Sequence, residues 1–211
     1  MRFSSQQVTG SGRRRTMWLV AAAVVAVLLA VLVPVLLRDR GGSTAAPTTA
    51  PTTAAQPSSA TPSPGAAEPP PAGYRLYRDP AGWSVAVPVA WQPVRRGTTT
   101  AFLDQDRTLT VSYRPAPSAD PYEDTLRLEP VVQAATPGYD LIRLAGVAYR
   151  GWPTASWEYT AGTPTITHTL SRTFVPNPRR TYTISFTTAQ RRFAADRAIF
   201  DVAGRTFSPD G

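Results

Sequence analysis

Apolar and polar positions divide this chain into three stretches. Met17 to Leu37 is an uninterrupted apolar run of 21 residues. At about 1.5 Å per residue, a helix of that length covers roughly 30 Å, the depth of a bilayer's hydrocarbon core. Pro34 stands near its far end, where a membrane helix tolerates it. Gly41 to Gly73 holds no aromatic residue and no Val, Ile or Leu. Such a stretch cannot bury enough apolar surface to offset chain entropy, so a disordered linker is expected over 41–73. Aromatic residues return at Tyr74, and from there short alternating segments dominate.

These segments predict antiparallel strands with one face buried. Trp83, Val85 and Val87 alternate with Ser84 and Ala86; Leu109, Val111 and Tyr113 alternate with Thr108, Thr110 and Ser112. Ala155, Trp157 and Tyr159 share one face, and so do Tyr182, Ile184 and Phe186. Pro176-Asn177-Pro178 predicts a turn between strands at 166–175 and 180–187. Two helices are expected among them. The first starts at Asp120 as N-cap, with Pro121 in its first turn and Glu123 three residues on. Leu128, Val131, Val132 and Ala135 would form its apolar face, Pro130 should kink or split it, and Pro137-Gly138 ends it. The second is expected from Thr188 to Ala203, with Phe193, Ile199, Phe200 and Ala203 turned inward. Strands around two helices give an α+β fold, an antiparallel sheet with helices packed on it.

Charge sets the orientation. All 22 basic residues are Arg, and the formal net charge is +8. Arg13, Arg14 and Arg15 precede the apolar run, so the positive-inside rule places residues 1–16 in the cytoplasm and everything after residue 40 outside. The expected layout is a cytoplasmic tail (1–16), a transmembrane helix (17–37), the linker (41–73) and an extracytoplasmic domain (74–211). It makes a single-pass protein of the cell membrane, with the bilayer as partner through 17–37. A cleaved signal peptide is the rival reading, but its apolar core usually runs only about 7–15 residues. Beyond residue 74 the arginines are scattered among acids with no basic stripe, so no nucleic acid is expected.

Missing residue types exclude chemistry. Without Cys there is no disulfide, thiolate nucleophile, Cys-bound zinc or lipidated cysteine. Without Lys there is no Walker A loop and no Schiff base. One His cannot build a multi-histidine metal site, so no metal and no cofactor are expected. On the predicted strand 166–174, Ile166, His168, Leu170, Arg172 and Phe174 share a face, which makes His168 and Arg172 candidates for a pocket that takes an anionic ligand. The competing reading satisfies them internally, through Glu158 or a carbonyl, with His168 peripheral to the core. A Ser-His-Asp hydrolase would need a nucleophile context, and no G-x-S-x-G elbow occurs. Asp104 and Asp106 read as a hairpin turn rather than a metal loop, and the strand tryptophans as core rather than a glycan platform.

Several segments together resemble one family: D-P-A-G-W-S-V-A-V-P…W (79–91), D-P-Y-E-D (120–124), P-G-Y (137–139), Y-R-G-W…W-E-Y (149–159), R-T-F (172–174) and F-D…T-F (200–207). Their order is similar to the extracytoplasmic domains that follow the membrane helix of some receptor-type bacterial Ser/Thr kinases. The resemblance implies a Mog1/PsbP-like sandwich over nearly all of 74–211 and carries no catalytic residues. A kinase half is not expected here, since 16 residues precede the apolar run. The function expected is a non-enzymatic, monomeric domain binding an envelope protein or glycan. The alternative is an envelope-facing hydrolase using a site near His168.

Overall fold

A computed structural model describes residues 67–209. The expected cytoplasmic tail, the apolar run at 17–37 and the tether up to residue 66 lie outside the described residues. Among the described residues no helix is long and apolar enough to cross a membrane.

The chain opens with a hairpin, β1 (Tyr74–Arg78) and β2 (Ser84–Pro88). Its connection is the D-P-A-G-W segment. Asp79, 5% exposed, accepts from the Ala81 N–H at 2.8 Å and from the Thr100 hydroxyl at 2.9 Å. Gly82 takes a left-handed φ of 87°, which closes the turn without the steric cost of a Cβ. Then follow β3 (Gln92–Arg96), β4 (Thr99–Asp104), β5 (Arg107–Arg114), helix α1 (Pro121–Ala135), β6 (Asp140–Gly146), β7 (Thr154–Ala161), β8 (Thr167–Asn177) and β9 (Arg180–Ala189). A single 3₁₀ turn, Gln190–Arg192, leads into helix α2 (Phe193–Thr206). Strands β3 to β9 form one antiparallel sheet of seven, in the order β3-β4-β5-β9-β8-β7-β6.

The pleat sorts the side chains onto two faces. Leu109 and Val111 of β5, Leu170 and Phe174 of β8, and Tyr182, Ile184 and Phe186 of β9 all turn one way. Helix α2 and the β1–β2 hairpin cover them with Phe193, Ile199, Phe200, Trp83, Val85 and Val87. Phe207, fully buried, lies against the rings of Trp83, Phe174 and Tyr182 and seals the end of α2. Thr206 ties helix to hairpin. Its hydroxyl accepts from the Ala86 N–H at 3.0 Å and donates to the Val202 carbonyl at 2.8 Å. The opposite face carries α1 over β6, β7 and β8, around Val132, Trp157, Tyr159 and Ala161. The sheet is therefore sandwiched by helices.

Several expectations need correction. Helix α1 is not split: Pro130 sits inside one continuous element. Pro130 and Leu126, whose carbonyl loses its helical donor, are both exposed, so water can take that carbonyl. Its inward line is Pro121, Thr125, Leu128 and Val132, whereas Val131 is 50% exposed. Thr125 joins that line because its hydroxyl bonds back to the Pro121 carbonyl at 2.7 Å. The Asp120 cap stands as expected, accepting from the N–H groups of Tyr122 and Glu123. Helix α2 starts at Phe193 rather than Thr188, because Thr188 and Ala189 complete β9. Ile166 lies outside β8 and is 50% exposed. The ordered contacts also begin before Tyr74: the Glu68 N–H donates to the Arg205 carbonyl at 3.0 Å, and its carboxylate meets the Arg205 guanidinium at 3.1 Å.

Candidate functional site

The alternation of β8 places His168, Leu170, Arg172 and Phe174 on the face that carries α2. The structure does not bring His168 and Arg172 into one pocket. They meet α2 at opposite ends, His168 against Phe193 in its first turn and Arg172 against Phe200 and Gly204 towards its last.

His168 is held on every side. It is 5% exposed, and its ring stacks on Phe193 with centroids 3.3 Å apart and planes 5° from parallel. Nε2 lies 2.8 Å from Glu158 Oε1 on the neighbouring strand, and Nδ1 lies 2.7 Å from Gln190 Oε1 in the 3₁₀ turn. A carboxylate and an amide thus occupy both nitrogens, and neither holds a hydroxyl nucleophile. The ring joins β7, β8 and the start of α2, so it is not peripheral to the core.

Next to it, Asp196 is 7% exposed and accepts from the Thr188 hydroxyl at 3.1 Å, with Arg192 Nε and Arg107 Nη1 in ion-pair contact at 3.1 and 3.5 Å. The two-residue turn between β4 and β5 feeds the same network. Asp104 pairs with Arg107, and Asp106 meets Arg192 at 3.3 Å. Gln105, at φ 51°, makes the hairpin. Among the described residues no group of three or more His, Asp or Glu is placed to hold a metal.

Arg172 has a different environment. Its guanidinium lies 5.1 Å from the ring centroids of both Tyr149 and Phe200, a cation–π arrangement. Its Nε is sealed from solvent and makes no hydrogen bond. The other arginines among the described residues that are not exposed each donate to an acceptor: Arg75, Arg150 and Arg180 to carbonyls, Arg107, Arg114 and Arg192 to aspartates. Glu158 stands one register step along β7, but its carboxylate is turned to His168.

The wall beside Arg172 is the Y-R-G-W turn. The Trp152 N–H donates to the Tyr149 carbonyl at 2.9 Å, with Arg150 and Gly151 at φ 52° and 76°. A non-glycine residue at positive φ is uncommon, and here the turn around it is braced. The Tyr149 hydroxyl donates to the Gly204 carbonyl at 2.6 Å, Trp152 stacks on Phe174, and Arg150 covers Trp152 at 4.4 Å while reaching the Phe207 carbonyl. Burial raises the Tyr149 phenol above its ordinary pKa, and the positive charges of Arg150 and Arg172 pull it part of the way back. Gly204 leaves room for Arg172, since a Cβ there would stand 3.3 Å from its Nη1. Sequence reading found Arg172 from strand alternation alone. Tyr149 and Gly204 carried no such signal, because only the fold brings the 149–152 turn and the end of α2 to β8.

A family model of the serine/threonine kinase C-terminal domain matches residues 75–209. Among solved structures, the solution structure of cyanobacterial PsbP from Synechocystis is similar at a TM-score of 0.52 and 20% identity, over 65% of this chain and 92% of that one. The Saccharomyces cerevisiae Ran-binding protein Mog1p aligns at a TM-score of 0.47 and 9% identity, over 64% and 94% of the two chains. LpqN, involved in cell envelope biogenesis of Mycobacterium tuberculosis, aligns at 0.45 and 12%, over 64% and 89%. No curated protein matches the chain in sequence. At 20% identity the PsbP likeness carries the fold alone, and that fold is Mog1/PsbP-like.

Proposed function

The chain belongs to the serine/threonine kinase C-terminal domain family, and from that premise we propose that it is a non-enzymatic binding module of the bacterial cell envelope, displayed outside the membrane. The observation that carries the reading is the contrast between its two inward-facing candidate side chains. His168, the base that a hydrolase would need, is clamped between Glu158 and Gln190 under Phe193. Arg172 is the half-buried cation left to a partner. A site with a held imidazole and an available guanidinium recognises rather than transforms.

The anchor is the apolar run at 17–37, oriented by Arg13, Arg14 and Arg15. The linker from 41 to Glu68, where contact with the domain begins, reaches from roughly 30 Å as a flexible coil to about 80 Å when extended. The test is protease added to intact protoplasts. The reading requires the domain to be digested while the N-terminal tail stays protected. Survival of an intact domain beside a digested cytoplasmic-side tag, or of both, removes it.

A further inference from the structure

Arg172 has a neighbour that shares its situation. Ser156 of β7 is its register partner on the same face of the sheet, which puts the two Cβ atoms about 4.5–5.5 Å apart. The Ser156 hydroxyl is half-buried and makes no hydrogen bond among the described residues. Helix α2 packs on β2 and β9, so on this face the shelf of Ser156, Glu158 and Thr160 on β7 lies beyond the helix. The Arg172 guanidinium therefore stands near the end of α2 between Tyr149 and Phe200, with the unbonded Ser156 hydroxyl as its cross-strand neighbour on the shelf.

We propose that Arg172 and Ser156 form the seat for an oxyanion, a carboxylate or phosphate group on the ligand of this domain. With Nε sealed, the guanidinium offers only its terminal amino groups. That end presents two parallel N–H donors, the fork that matches two oxygens of one carboxylate or phosphate. The aromatic walls hold the fork in place, so little side-chain freedom is lost on binding. A half-buried guanidinium without a counter-ion is costly, and an arriving oxyanion relieves that cost. The seat deepens the binding-module reading and rests on it, yet the two fail separately: protoplast proteolysis reports where the domain is, and the titration below reports what Arg172 holds.

The rival account makes Arg172 a clamp that only packs Phe200 and the end of α2. The test melts the full chain in uncharged detergent, followed by tryptophan fluorescence, in sodium acetate, inorganic phosphate or sodium chloride at matched ionic strength. A seated oxyanion raises the melting temperature in a saturable way that chloride does not reproduce. The arm that responds, acetate or phosphate, identifies the class of head group. Arg172→Gln should weaken that response about tenfold or more, whereas Arg179→Gln, which removes an exposed charge at the β8–β9 turn, should leave it intact. Arg172→Met should melt no lower than the parent in chloride, because an unpaired cation has been replaced by an apolar side chain of similar length. Three results each overturn the proposal: identical responses to all three salts in the parent, an unchanged response in Arg172→Gln, or an Arg172→Met protein that melts lower in every salt. Should Arg172→Gln fail to fold, the parent's titration and Arg172→Met still decide.

Discussion

Replacing His168 by Ala tests whether the one histidine is a structural tie. The change removes a ring 5% exposed and stacked on Phe193, together with contacts to Glu158 and Gln190 at 2.8 and 2.7 Å. An aromatic stack contributes about 0.5–1.5 kcal/mol. Each hydrogen bond contributes about 0.5–1.5 kcal/mol net. Gln190 is exposed and the Glu158 side chain is 22% exposed, so both recover water and add little further penalty. The expected loss is therefore about 2–4 kcal/mol. A fragment of residues 67–211 suits the assay, because the core runs from Trp83 to Phe207. In urea, with a slope of about 1–3 kcal/mol/M, the unfolding midpoint should fall by about 1–2 M with the slope unchanged. A shift within the error of the parent curve would refute the tie and put His168 at the periphery, where sequence alone placed it.

Three further perturbations probe other joints. Trp157→Ala empties the cluster beneath α1, where the indole N–H donates to the Tyr139 hydroxyl, and should cost about 3–5 kcal/mol, with amide exchange rising first in α1. Thr206→Val strands the buried Ala86 N–H and should cost about 1–3 kcal/mol in the same urea assay. Asp124 is pushed up by burial, yet hydrogen bonds from Ser118, Arg114 and Arg127 outweigh that and hold its carboxyl below the ordinary 3.8. A lowered carboxylate stabilises above its unfolded pKa and stops doing so as the pH falls through its folded value. Acid melts should therefore lose stability below about pH 4 more steeply in the parent than in Asp124→Asn, and parallel curves would contradict this.

The sequence made the sheet interior legible and its margins obscure. Strands β5, β7, β8 and β9 alternate larger residues with Thr, Ser or Glu in sequence, which fixes their two faces even though β8 is buried at four successive positions. Strand β3 is exposed throughout and contains Pro93, so no burial imprints a period on it. In β6 the register shifts between Leu141 and Arg143, and the alternation is lost with it. Strand β2 is buried at four successive positions, so its Ser84 and Ala86 read as a polar face that does not exist. The Asp120 cap was readable because capping is local, while the inward Thr125 was not, because its hydroxyl is satisfied within its own helix. At the candidate site the strand pattern put His168 and Arg172 on one face. What separates them is where α2 crosses that face, and that depends on packing of Phe193 and Phe200 rather than on any motif.

The central claim, that this domain binds a partner through the shelf beside Arg172, is tested most directly by site-specific photocrosslinking in intact cells. A photoreactive phenylalanine analogue replaces Thr160 at the far end of the shelf, four residues along β7 from Ser156, or Thr110 on the opposite face of the sheet as the control. The account predicts a discrete adduct from position 160, none from position 110, and loss of the adduct when Arg172→Gln is added. Equal labelling from both positions, or a shelf adduct indifferent to Arg172→Gln, would contradict it.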